Sequence, residues 1–157
     1  MNEKTQRIYV DTSVVGAIAD DEFRRQQTKP FWDAVQRNEI VIIVSDVLED
    51  ELKKSPQRVR DFFDDIAVSQ IERVVSTEES EKLASQYIAE NVVGQSSYDD
   101  CQHIALATIH HADVLVSLNF KHIVNINRIR GYNSVNMRLG YPIIEIRTPY
   151  EVIHVEN

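Results

Sequence analysis

The sequence is poor in several things, and each absence excludes a class of protein. It has one cysteine, Cys101, so no intramolecular disulfide can form. No paired Cys/His spacing suggests a zinc site. Cys101 lies in an apolar pattern and reads as a small buried hydrophobe. The longest apolar run, residues 40–44, has five residues, far short of the ~20 a membrane helix needs. The opening segment, residues 1–7, leads into no signal-peptide core. The expectation is a soluble, cytoplasmic protein with no membrane partner. Positive charge is also short: 17 Lys and Arg stand against 25 Asp and Glu, a formal charge of −8. The overall field gives no help in binding a polyanion, which would need a local basic patch or a metal ion. Internal repeats, low-complexity tracts and linkers are absent as well.

What is present is an ordinary globular composition, 43% hydrophobic and 27% charged over 157 residues. That length suits one domain, expected to span residues 1–157. A fold of this size buries roughly 68–70% of the surface its unfolded chain exposes, so packing alone can hold the core.

The chain alternates strand and helix patterns. Strands are expected at residues 8–10, 40–44, 71–75, 113–118 and 143–146. Residues 40–44 and 114–116 do not alternate with polar side chains, as in strands covered on both faces within a parallel sheet. Ser45 can cap a helix over residues 46–54. Ser55-Pro56 reads as a cap followed by proline at the first helical position, with Val59, Phe62, Phe63 and Ile66 behind it. Ser76 and Glu79 fit a capping box. Cys101, Ile104, Ala105, Thr108 and Ala112 form another apolar stripe. A last helix carries Ile129, Val135 and Leu139 and stops at Gly140 and Pro142. The polar stretch 20–29 reads as a loop or a loosely packed helix end. The class is α/β with a mainly parallel sheet of four to five strands.

Ligands of open α/β sheets bind beyond the carboxyl ends of the strands. The first strand ends at Asp11-Thr12-Ser13, the second at Ser45, and the fourth at Ser117-Leu118-Asn119. Asp11 reads equally as a helix cap or a functional acid. Along the helix after Ser45, Glu49 and Asp50 point away from the face of Val47, Leu48 and Leu52. Glu51 falls inside that apolar face, where a carboxylate is expensive unless paired or bound to a metal. Asp100 lies at the edge of the next apolar stripe and Asp99 towards solvent. As a first-turn acid, Asp100 also suits the helix dipole. His103, one turn on from Asp100, reads as a satisfied structural histidine more readily than as a ligand. Acids from separate segments at one sheet end raise one another's pKa unless a cation compensates. The economical cation is a hard one with oxygen ligands, Mg²⁺ or Mn²⁺.

Four segments in order resemble the PIN-domain nucleases, above all the VapC-type toxins of bacterial toxin–antitoxin pairs. They are Ile8-Tyr9-Val10-Asp11-Thr12-Ser13, Ser45 with Glu51-Leu52, Asp100-Cys101-Gln102-His103-Ile104-Ala105-Leu106-Ala107, and Leu115-Val116-Ser117-Leu118-Asn119. The tail, Asn119-Phe120-Lys121-His122-Ile123-Val124-Asn125 and then residues 140–149, resembles a distinct PIN-like subgroup. The resemblance implies a three-layer α/β/α sandwich and Mg²⁺- or Mn²⁺-dependent cleavage of RNA. It implies Asp11 and Asp100 as metal ligands and Glu51 as a metal-site acid acting directly or through water. It implies Asn119 at the fourth acidic position, where the family usually has a carboxylate. Asn119 can offer a carbonyl oxygen but no charge.

The expected function is therefore a metal-dependent endoribonuclease with RNA as substrate and a small antitoxin protein as partner. The second reading is a PIN-fold RNA- or partner-binding protein with little nuclease activity, motivated by Asn119. An aspartyl-phosphate enzyme ranks last, because Ser13 stands where a second Asp is needed. Phe31, Trp32, Phe62 and Phe63 are core residues by their helical spacing; exposed, they would serve a homodimer or an antitoxin groove.

Overall fold

The computed structural model describes residues 5–153. Five strands form one all-parallel sheet: β1 (Gln6–Val10), β2 (Ile40–Ser45), β3 (Ile71–Val74), β4 (Val114–Val116) and β5 (Ile146–Arg147). The spatial order is β3-β2-β1-β4-β5. Registers such as Ile8 opposite Ile42 and Ile8 opposite Val114 centre the sheet on β1. Around it run α1 (Thr12–Gly16), α2 (Glu22–Gln36), α3 (Asp46–Leu52), α4 (Gln57–Asp64), α5 (Glu78–Ala89), α6 (Tyr98–Ile109), α7 (Ile126–Arg138) and α8 (Pro149–Ile153).

Alternate residues of each strand face opposite layers. Tyr9, Ile43 and Leu115 join one buried cluster with Leu83, Tyr87, Ile104 and Tyr132 from α5, α6 and α7. Ile8, Val10, Ile42, Val44 and Val116 join the other, with Phe31 and Trp32 of α2 and Val59 and Phe63 of α4. This is why β1, β2 and β4 read as unbroken apolar runs. Both faces are dry, and the protein is an α/β/α sandwich.

Three local expectations need sharpening or correction. Of the two readings of residues 20–29 the helix end holds: residues 22–29 are the first half of α2, the longest helix among the described residues. Asp21 caps it by accepting from Arg24 N, and Thr28 and Phe31 turn inward, so a polar start conceals a packed helix. The capping box of α5 is Thr77 with Ser80, not Ser76 with Glu79. Ser76 is diverted, because its hydroxyl donates to Asp46 across the molecule. Pro56 is the residue before α4 rather than its first helical residue. The aromatic four resolve as core: Phe31, Trp32 and Phe63 are buried, and Phe62 packs edge-on against Trp32. Cys101 is buried. Among the described residues no helix is long and apolar enough to cross a membrane.

Candidate functional site

Asp11 is the residue after β1, and burial leaves it 4% exposed. It caps the short helix α1, with Oδ1 accepting from Val14 N at 3.3 Å. Oδ1 also accepts from Ser13 Oγ at 2.6 Å, and Oδ2 accepts from Ser117 Oγ at 2.5 Å. Those hydroxyls are themselves held by the loop after β4. Leu118 N donates to Ser13 Oγ and Asn119 N to Ser117 Oγ, both at 2.9 Å. The cap and functional readings of Asp11 are thus not alternatives: the cap fixes the carboxylate at the sheet end. Burial holds its carboxyl above the usual carboxylate range, against the pull of the His103 charge and these hydrogen bonds.

Asp100 stands in the first turn of α6, half-buried. Burial raises its pKa, and the charges of Asp11 and Glu51 add to the rise, while His103 and His122 oppose it. Asp100 thus feels the charges of both other acids. Asp99 is exposed and takes a hydrogen bond from Gln102. Glu49 pairs with Arg73 and Asp50 with Lys53, both on the surface.

Glu51 does turn from solvent, though its side chain keeps 35% exposure. Its partner is His103: Nε2 lies 2.7 Å from Glu51 Oε1. The imidazole is 2% exposed, and its Nδ1 lies 2.7 Å from Tyr9 Oη. Tyr9 Oη in turn donates to Ser45 Oγ at 2.8 Å. His103 thus bridges the two, with Nε2 on the Glu51 carboxylate and Nδ1 on the Tyr9 hydroxyl. Burial alone would lower the His103 pKa, but the Glu51 hydrogen bond and the charges of Asp11, Glu51 and Asp100 outweigh it and raise it. For Glu51, burial pushes upward, and the hydrogen bond and charge of His103 win, so its pKa is lowered.

Asn119 is oriented by its own turn. Its Oδ1 accepts from Lys121 N at 3.3 Å and His122 N at 3.1 Å, and its Nδ2 donates to Asp100 Oδ2 at 3.3 Å. The carbonyl oxygen that the sequence offered to a cation is taken by backbone, and the amide nitrogen faces the acid.

All three carboxylates thus stand at the same end of the sheet. Among the described residues, however, no three His, Cys, Asp or Glu side chains are grouped closely enough to hold one ion between them. The donor chemistry still fits a hard divalent ion. Asp11 and Asp100 offer carboxylate oxygens whose ionised form is disfavoured by burial, and at Asp100 also by the Asp11 and Glu51 charges, and Mg²⁺ commonly takes one or two carboxylates and keeps several waters. Beside them opens a groove of about 570 Å³ whose lining includes Asp46, Asp50, Glu51, Glu81 and Asp99, with Lys54 as its one base. A polyanion meets net repulsion there without a cation.

Reasoning from sequence missed His103 as the hub and Tyr9, Ser13 and Ser117 as the groups that hold it and Asp11. One signal was legible: a tyrosine inside a buried strand must find a partner for its hydroxyl.

The model of the PIN domain family matches residues 8–124. No curated protein matches. Among solved structures, the chain is similar to the Mycobacterium tuberculosis toxin VapC20, described as cleaving the sarcin–ricin loop. The identity is 17% and the TM-score 0.57, covering 73% of this chain and 91% of that one. It is also similar to VapBC2 from Rickettsia felis, solved bound to a DNA fragment from its promoter. There the identity is 13% and the TM-score 0.54, covering 91% of this chain and 98% of the other. At such identities the structural likeness speaks for the fold alone.

Proposed function

The chain belongs to the PIN-domain family, and from that premise we propose that it is a divalent-metal-dependent endoribonuclease of the VapC toxin kind. The observation that carries this reading is the pair Asp11 and Asp100: two half- to fully buried acids from separate chain segments, side by side in charge, at the carboxyl end of a parallel sheet. Asp11 and Asp100 would hold Mg²⁺ or Mn²⁺. The ion supplies a water of lowered pKa and a counter-charge for the phosphate. Glu51, held by His103, orients the attacking water. Asn119, with its amide hydrogens directed at the site, donates rather than ligates, holding Asp100 in place. The whole chain acts as a single domain in the cytoplasm, with RNA as substrate. A small antitoxin protein is the proposed partner, a proposal supported by the likeness to VapBC2.

The test is RNA cleavage with Mn²⁺ or Mg²⁺ titrated into protein treated with chelator. Cleavage that appears with metal and vanishes with chelator supports the reading; no cleavage at saturating metal sinks it. One observation favours the second reading, a binding protein with weak nuclease activity: the fourth position is an amide that donates to Asp100 rather than a further acid. In that case RNA or partner protein binds but is not cut.

A further inference from the structure

We infer that His103 is a positioning residue for Glu51: it sets where that carboxylate stands relative to Asp100. The inference rests on the nuclease reading for what Glu51 then does. Its placement argument stands on the hydrogen bonds alone.

Glu51 is the penultimate residue of α3, a helix of seven residues. A glutamate there loses side-chain entropy when held, so a fixed position needs a partner. Its neighbours on α3, Glu49 and Asp50, reach outward to Arg73 and Lys53. Glu51 is drawn the other way by one strong contact, to His103 Nε2. His103 is a rigid post. It is buried, sits one turn after Asp100 on α6, and meets the Tyr9 ring edge-on at 5.6 Å between centroids. Tyr9 is fixed by Ser45 Oγ, and Ser45 caps α3 by accepting from Leu48 N at 3.1 Å. The circuit closes on itself. Both the first turn of α3, through Ser45, and its last, through Glu51, are referred to the same Tyr9–His103 pair. Asp11 follows Tyr9 by two residues, and Asp100 precedes His103 by one helical turn.

Packing does not require such a circuit. Replacing both partners of a buried polar pair by apolar groups of similar shape is often near neutral, so packing alone does not call for the His103–Tyr9 contact. What the circuit adds is placement. Partners that orient a metal site's acids typically matter about 10–100-fold in affinity or activity.

Two substitutions separate the ring's two contacts. His103→Asn keeps an amide near the Nδ1 position, towards Tyr9, and loses the reach to Glu51. His103→Gln keeps a donor near the Nε2 position, towards Glu51. The readouts on the full chain are Mn²⁺ affinity by calorimetry, melting temperature, and a crystal structure of the Asn variant. His103→Asn should weaken Mn²⁺ binding about tenfold or more and leave Glu51 turned to solvent in the crystal. His103→Gln should restore most of the affinity. A merely structural histidine would lower the melting temperature alike in both and separate no affinities. Glu51 unmoved in the Asn variant, or equal Mn²⁺ affinities in the two, overturns the inference. Wild-type protein that neither binds Mn²⁺ nor cleaves RNA overturns the nuclease reading instead, and the position of Glu51 in the Asn variant still decides the role of His103.

Discussion

The two ends of the parallel sheet treat their acids in opposite ways. At the amino end, Arg7 on β1 grips Glu72 on β3, Nε at 2.9 Å and Nη2 at 2.6 Å. The same guanidinium donates to the carbonyls of His110 and His111, and the Arg7 amide donates to Asp113. The Arg7 hydrogen bond brings Glu72 below the usual carboxylate range. At the carboxyl end, no Lys or Arg among the described residues pairs with Asp11, Glu51 or Asp100. Hydroxyls, one amide and one buried imidazole hold them, and Asp11 and Asp100 stay raised. Acids placed for stability carry their counter-charge with them. Acids whose charged form is held disfavoured by burial make sense where a cation arrives from outside.

The largest expected effect follows. Asp11→Asn or Asp100→Asn should lower Mn²⁺- or Mg²⁺-dependent RNA cleavage by about a hundredfold or more, beyond the cost of losing a supporting partner. Glu72→Gln, at the other end, should leave cleavage unchanged. Each aspartate change also removes a disfavoured buried charge, so the metal-free variants should melt no lower than wild type. Either variant cutting RNA at the wild-type rate would erase the distinction between the two ends.

Asn119→Asp sharpens the comparison by adding a further acid to the crowded end. The new carboxylate would keep the acceptor role towards Lys121 N and His122 N and set its other oxygen where Nδ2 now stands, 3.3 Å from Asp100 Oδ2. Repulsion at that distance is several kcal/mol at an effective dielectric of about 20, before relaxation. The metal-free protein should therefore melt lower, and saturating Mn²⁺ should recover the loss through tighter binding. A variant that melts like wild type with and without Mn²⁺ would separate Asn119 from the acids.

Ser45→Ala probes the circuit rather than the acids. It removes the cap of α3 and the acceptor of the buried Tyr9 hydroxyl together. The expected cost is about 1–2 kcal/mol in denaturant unfolding, near the upper range for a helix cap. No measurable loss would mean that α3 is placed by Leu48 and Leu52 alone.

These particulars show how far the sequence reaches. Strands β1, β2 and β4 were legible because burial on both faces leaves an unmistakable apolar run. Asp11 and Asp100 were legible because strand ends and helix starts are local events. Glu51 was legible as a misplaced carboxylate, but its partner was not. His103 is 52 positions from Glu51 and 94 from Tyr9, and no periodicity reports a contact between helices that far apart. The start of α2 stayed ambiguous for a related reason: Glu22, Arg25 and Gln26 face solvent and say nothing about Phe31 and Trp32 a turn or two later. The direction of the Asn119 amide was illegible because two backbone amides of the 119–122 turn decide it.

The smallest effect is one of sign, and it separates Asp11 and Asp100 from Glu72 by pH. Asp11 and Asp100 are raised above 3.8. Their contributions to stability are fully present below that value and lost as pH rises through the raised ones. His103, raised above 6.5 and facing Asp11 from β1, Glu51 from α3 and Asp100 from its own helix, adds in the same direction. Glu51 and Glu72 are lowered from 4.5, so their contributions are present above it and lost as pH falls through their folded values. Metal-free protein should thus melt higher at about pH 5 than at about pH 8, and lose stability again on further acidification. Glu72→Gln should keep the rise between those two pH values, flatten only the acid-side fall, and cost less than about 1 kcal/mol, as part-exposed ion pairs do. Asp11→Asn should shrink the rise, because the Asp11 charge is one of those that raise His103. If both variants track wild type across the whole range, the carboxyl end holds its acids no differently from the amino end, and the contrast between them carries no information about the site.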